Sequence, residues 1–177
     1  SSCIPKLIGL DLMIVATGIL HDVNLFPEKS LKDLSTEKFQ KLFLINTIGP
    51  ALVAKHFLPL LRRETRAISA TLSARVGSVS DNQLGGWYAY RSSKAALNII
   101  IKNSAIETSR RNNNSIVVGM HPGTVASDLS KPFQKGVPPG KLFTPELAAS
   151  KLLKVISTLN AEDTGKCFAW DGEEILP

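Results

Sequence analysis

Residues 67–98 read AISATLSARVGSVSDNQLGGWYAYRSSKAALN, and the fold turns on them. Ala67 to Leu72 is a short apolar run of strand length, closed by a polar, Gly-rich stretch from Ser73 to Trp87. From Tyr90 to about Arg110 the pattern becomes that of a long helix rich in Ala, Leu and Ile, ended by Asn112-Asn113-Asn114. A strand, a loop and a long helix in that order make a βα unit, and the rest of the chain repeats the alternation.

Upstream, Leu10 to Ala16 (LDLMIVA) predicts a buried strand closed by Thr17-Gly18, followed by irregular residues 19–34. Ser35 is placed to cap a helix with Glu37 in its first turn, and the helical pattern runs to about Leu61. Downstream, Ser115 to Met120 predicts a third strand, turned at its end by His121-Pro122-Gly123. Residues 124–143 carry Pro132, Gly136, Pro138, Pro139 and Gly140, so they read as a long loop of the kind that forms lids. Thr144-Pro145-Glu146 starts another helix, Lys166 to Trp170 is a fourth strand, and Asp171-Gly172 is a turn. Buried strands alternating with helices predict an α/β fold: a doubly wound parallel sheet of Rossmann-like type. Ligands on such sheets bind at the C-terminal strand ends, where Thr17-Gly18, Ser73 and Pro122-Gly123 all fall.

In Tyr90-Arg91-Ser92-Ser93-Lys94 the phenol and the ammonium lie at i and i+4, on one helix face. A nearby cation favours the phenolate, which predicts a lowered Tyr90 pKa and an acid/base group suited to a hydroxyl or carbonyl. A Tyr and a Lys at this spacing also occur by chance. The neighbours narrow it: Ser73 ends the preceding strand, Pro122-Gly123 the following one, and Asn46 sits polar inside an apolar helix. Taken singly, Asn46 reads as a satisfied core amide and Ser73 as a turn residue.

Leu72–Asn98 resembles the active-site segment of the short-chain dehydrogenase/reductases, most closely the C-factor-like and sniffer-type carbonyl reductases. DLMIVATGIL, INTIGPALVAKHFLPLL, HPGTVASDLS and FAWDGEEILP fit the same branch. The resemblance implies an NAD(P)-dependent oxidoreductase acting on a small carbonyl or alcohol, with NADP or NAD as cofactor. Tyr90 is then the proton donor, and Lys94 lowers its pKa and holds the nicotinamide ribose. Asn46 holds a water, and a strand-end Ser polarises the carbonyl. Gly18, Tyr90, Lys94, Pro122, Gly123, Thr124 and Val125 line the cofactor. The family's usual Ser-Ser pair, commonly with the second as catalyst, stands here as Ser73-Ala74, which leaves Ser73 as first candidate and Ser78 as second. Its Asn-Asn-Ala-Gly after the strand stands as Val15-Ala16-Thr17-Gly18.

The glycine-rich TGxxxGxG loop, which holds the pyrophosphate on a helix N-terminus, does not occur in the sequence. Residues 1–177 are therefore expected to be the C-terminal catalytic portion of one such domain, lacking two crossovers of about 30 residues each. The chain alone is then expected to bind the dinucleotide poorly. The alternative is an inactive truncated fragment acting through subunit association. Association as a homo-oligomer is implied by the resemblance, through the helices at 36–61 and 90–110.

Composition bounds the rest. The net charge of +6 is scattered, with groups at Arg62-Arg63-Arg66 and Arg110-Arg111 near predicted helix ends. No nucleic-acid motif accompanies it, so no nucleic-acid partner is expected. No uninterrupted apolar run reaches the ~18–20 residues of a span, and no signal peptide is legible, so no membrane partner is expected. Cys3 and Cys167 lack metal-ligand or CxxC spacing and read as free thiols in a reducing, cytoplasmic setting, with a disulfide as the lesser alternative.

Overall fold

A computed structural model describes residues 9–177. Cys3 lies outside the described residues; Cys167 is a free thiol. Four parallel strands form the sheet: β1 (Leu12–Val15), β2 (Ala67–Leu72), β3 (Ser115–His121) and β6 (Cys167–Ala169), in the order β1-β2-β3-β6. The helices are α1 (Thr36–Phe43) and α2 (Gly49–Phe57), joined by a π-helical turn (Leu44–Ile48), then α3 (Tyr88–Ser109) and α4 (Pro145–Thr158). Two-residue strands β4 (Thr124–Val125) and β5 (Leu142–Phe143) pair with each other and tie down the ends of the 124–143 loop.

Alternation along the strands separates two cores. Ile68, Ala70, Ile116, Val118 and Met120 pack with Val155 and Ile156 of α4 on one face. Ala67 and Val117 pack with Leu97, Ile101 and Ala105 of α3 on the other, together with Leu58 and Leu61. A sheet covered on both faces buries Ala67, Ile68, Val117 and Val118 almost completely, as the near-continuous apolar runs of β2 and β3 require. The predicted caps are in place: Ser35 Oγ accepts from the Lys38 N–H at 3.3 Å and Thr144 Oγ1 from the Leu147 N–H at 3.2 Å. Arg66 donates to the carbonyls of Leu159 (2.9 Å) and Ile156 (2.5 Å), so this cation serves the C-terminal end of α4.

Two expectations are corrected. The strand around Leu10–Ala16 was expected to be buried, yet Leu12 is 41% and Ile14 47% exposed. β1 is the edge strand, and among the described residues no strand pairs its outer side. The helix after Ser35 was expected to be continuous, but the Gly49 N–H bonds Leu44 O, five residues back. Pro50 has no N–H for the Asn46 carbonyl, so a regular α-ladder cannot pass this point. Taken together, Thr36–Leu60 spans 25 residues with a mean hydropathy of 1.3 in its most apolar window, which by length and composition alone matches a membrane span. Within this fold that stretch buries Leu42, Asn46, Thr47, Pro50 and Leu58.

Candidate active site

A cavity of about 320 Å³ opens at the C-terminal ends of β1, β2 and β3. Thr17-Gly18, Ser73-Ala74, Tyr90, Lys94 and His121-Pro122-Gly123-Thr124 line its base. Leu20, Val76, Trp87, Leu129, Phe133 and Val137 form an apolar upper wall. Each strand end contributes because a parallel sheet brings its loops to one edge.

Tyr90 and Lys94 both face this cavity from α3, one helical turn apart. Lys94 is 3% exposed, and its ammonium donates to the Leu72 carbonyl at 3.0 Å, its only hydrogen-bond partner among the described residues. Burial pushes the Lys94 pKa down to about 8 and the Tyr90 pKa up to about 12. The expected lowering of Tyr90 is therefore not what this cavity produces. Desolvation penalises the charged form of each group, which raises the one and lowers the other.

Asn46 stands behind the wall rather than in it. The π-helical turn aims its amide at the loop after β1, where Oδ1 accepts from the Ile19 N–H and Nδ2 donates to the Ile19 carbonyl, both at 2.8 Å. Nδ2 also donates to Ser93 Oγ at 3.1 Å, and Ser93 Oγ in turn donates to the Tyr90 carbonyl at 2.8 Å. One amide thus ties the loop carrying Gly18 to the turn of α3 carrying Tyr90. A Cβ added to Gly18 would sit 3.5 Å from Asn46 Oδ1 and 3.6 Å from Lys94 Nζ, which leaves little room for any larger side chain. Asn46→Leu would strand a part-buried N–H and a part-buried C=O of Ile19, and we expect it to lower the unfolding free energy by about 1–3 kcal/mol. Urea denaturation checks this; a change below about 0.5 kcal/mol would mean that the Ile19 bonds do not matter.

The serines separate. Ser73 reaches the cavity, but its hydroxyl donates to Asn98 Oδ1 at 2.6 Å. Ser78 does not line the cavity: it turns into the loop, where its Oγ accepts from the Asp81 N–H at 3.1 Å and lies 3.3 Å from Ser80 Oγ. Ala74, between them in sequence, presents only a methyl group. Of the cofactor-lining candidates, Gly18, Pro122, Gly123 and Thr124 are at the cavity. Val125 is not; its carbonyl accepts from Ser130 Oγ at 2.5 Å. Gly123 adopts a left-handed φ of +76°, where a Cβ would meet the Phe143 and Trp170 rings at 2.7 and 2.9 Å.

The 124–143 loop does cover the site. Phe133 packs on Trp87 (4.9 Å between centroids), and Trp87 stands edge-on to Tyr90 (6.2 Å). His21 Nε2 lies 3.1 Å from the carbonyls of both Asp128 and Leu129, so it is the donor that holds this loop to residues 19–28. Leu142 and Phe143, grouped with the lid from the sequence, leave it: they form β5, and Phe143 packs on Trp170. Sequence reading missed His21, Trp87 and His121. Their signal was local: HPG at a strand end, and an aromatic directly before the predicted helix.

The short chain dehydrogenase family profile matches residues 1–137. C-signal from Myxococcus xanthus is 35% identical over 146 residues, covering 82% of each chain. A 1-hydroxy-2-glutathionyl-2-methyl-3-butene dehydrogenase from Rhodococcus sp. (strain AD45) is 39% identical over 157 residues, 88% of this chain but 66% of that one. Among solved structures, an NADPH-bound carbonyl reductase from chicken fatty liver superposes with a TM-score of 0.81 at 25% identity, covering 96% of this chain and 66% of the other. The carbonyl reductase Sniffer of D. melanogaster, at 23% identity, shares the fold with a TM-score of 0.82 over 97% of this chain and 68% of its own. With the profile running through the whole Tyr90 helix and relatives above 30% identity over most of its length, the chain belongs to the short-chain dehydrogenase family of oxidoreductases.

Proposed function

We propose that the chain forms the carbonyl-and-nicotinamide half of an oxidoreductase site, reducing a small apolar carbonyl compound or oxidising the matching alcohol. The observation that carries this reading is Tyr90 and Lys94 buried side by side in one cavity at the strand ends. With a pKa of about 12, Tyr90 holds its proton at neutral pH, the form a donor to a carbonyl oxygen requires. Asn46 acts as a fastener between the Gly18 loop and α3. Ser73 is the strand-end hydroxyl, able to polarise a carbonyl only by letting go of Asn98.

The nicotinamide end of a cofactor fits the residues present. Lys94 uses one of three N–H donors on Leu72 O, leaving two for a ribose diol, and Gly18 and Pro122-Gly123 keep the floor low. When bound, that group would supply or accept the hydride; the chain supplies position and the proton. NADP and NAD are both carried in this proposal, since the sequence has no TGxxxGxG loop with the selective region beside it. Titrating the purified chain with NADPH and with NADH tests the reading. Saturable binding, weak for want of the pyrophosphate loop and weakened about tenfold or more further in Lys94→Ala, is expected, by loss of charge-assisted bonds. Absence of binding at millimolar cofactor would remove it.

A second reading, an inactive fragment acting through association, draws on the open outer edge of β1 beside exposed Leu12 and Ile14. Homo-oligomer formation belongs to both readings. Leu44, Ile48 and Leu52 on the helices between β1 and β2, and Ile99 and Ile106 on α3, are large apolar side chains left exposed. A cytoplasmic setting is part of the proposal and rests on the free Cys167 thiol.

A further inference from the structure

Trp87 is the one non-glycine residue among those described with a left-handed backbone (φ 51°, ψ 40°), and it sits at the N-cap of α3 without a side-chain cap bond. A bulky residue in this region is strained and persists only where its surroundings over-determine it. Besides the Phe133 and Tyr90 rings and the Arg91 N–H, which bonds the Trp87 carbonyl at 2.8 Å, those surroundings include Glu28. The Trp87 N–H donates to the Glu28 carbonyl at 2.6 Å, and the Ala89 N–H donates to Glu28 Oε2 at 3.3 Å. Glu28 is 1% exposed, and its second carboxylate oxygen, Oε1, is buried with no hydrogen-bond partner among the described residues. The Glu28 side chain thus lies against the first turn of a 22-residue helix. Gly86, with φ +64°, lets the chain pass this point, where a Cβ would lie 3.3 Å from the Glu28 carbonyl oxygen.

We propose that Glu28 is a positioning residue for the carbonyl site: it fixes the first turn of α3 and thereby seats the Trp87 indole as the wall between the lid and Tyr90. The inference rests on the reading of this cavity as a carbonyl site. The indole lines the cavity, packs on Phe133 from the lid and stands edge-on to the Tyr90 ring, so a shift at the helix start moves the wall a substrate would touch. Neither Glu28 Oε1 nor Oε2 needs to touch substrate for this role.

The test uses the whole chain in a Trp170→Phe background, which leaves Trp87 as the sole indole. Glu28→Met keeps the length and fills the volume while removing both oxygens, so a purely structural acid would be replaced at little cost. Glu28→Gln keeps an acceptor for the Ala89 N–H. The expected result in Glu28→Met is a red-shifted Trp87 emission with easier acrylamide quenching. The KM for 4-nitrobenzaldehyde should rise about tenfold, through displacement of the wall. The Kd for NADPH should be unchanged, and Glu28→Gln should restore most of the loss. Unchanged emission and quenching in a folded Glu28→Met chain would overturn the proposal. If the wild-type chain turns over no carbonyl compound, the catalytic reading fails, while the emission arm still decides whether Glu28 seats Trp87.

Discussion

Tyr90→Phe is expected to lower kcat/KM for carbonyl reduction by about 10³-fold, within the range for losing a positioned general acid. The Kd for NADPH should stay where it is. The substitution removes one oxygen from a buried ring and keeps its packing against Trp87, so a loss of rate cannot be charged to a loss of fold. Retention of more than a tenth of the wild-type rate would remove Tyr90 from the role. The pH profile supplies a second check. Tyr90 stays protonated up to about 12, so it sets no limit near neutrality, whereas Lys94, at about 8, gives up its cation there. Cofactor binding and reduction should therefore fall as pH rises through about 8.

Stability should move the other way. The folded Lys94 pKa of about 8 lies below its ordinary 10.5, so from about 8 upward the unfolded chain holds the extra proton and unfolding free energy rises with pH, until above about 9 the buried Cys167 thiol, raised to about 11, offsets the gain. Full neutralisation relieves about 3 kcal/mol, from roughly 1.4 kcal/mol per pKa unit. Opposed trends in activity and in denaturation midpoint over the same pH window would tie both to one buried ammonium; parallel trends would refute that.

Ala74→Ser should raise kcat by about 10²-fold, the scale of one hydrogen-bond donor to a developing oxyanion. Ser73 gives its proton to Asn98 Oδ1, and Ala74, the second position of the pair that is usually Ser-Ser in this family, offers the cavity only carbon. A hydroxyl added there would reach the carbonyl without breaking an existing bond. Ser73→Ala separates the possibilities. If Ser73 already polarises the substrate, its loss removes activity and Ala74→Ser adds little; if it does not, Ser73→Ala is nearly silent and Ala74→Ser is not.

The bounds of β2, the caps at Ser35 and Thr144 and the meeting of Gly18, Ser73, Tyr90, Lys94 and Pro122-Gly123 were legible in sequence, because each depends on local period or on strand ends. What was not legible depends on partners far along the chain. The open flank of β1 follows from the missing crossovers, but the half exposure of Leu12 and Ile14 on its face does not show in an interior-strand pattern. Burial, not spacing, set the Tyr90 pKa, so an i,i+4 cation was a poor guide to its direction. Glu28 lay in a segment of mixed polarity, where nothing marks one acid as buried. The Gly49-Pro50 pair was the available sign of the irregular turn before it, a proline in a helix interior with no N–H to offer.

That turn has a consequence for how the chain tolerates insertions and deletions. Because five residues, Leu44–Ile48, occupy a widened turn, every position from Gly49 onward is rotated by about one residue's arc, roughly 100°, relative to the phase of α1. A deletion of a single codon within 44–48 would shift that phase back by one residue, although Pro50 would still interrupt the ladder. It would leave composition and hydropathy almost untouched while swinging Asn46 away from Ile19 or turning the Leu52 stripe inward. A one-residue change of length here is therefore expected to alter the site itself, with the rest of the chain untouched.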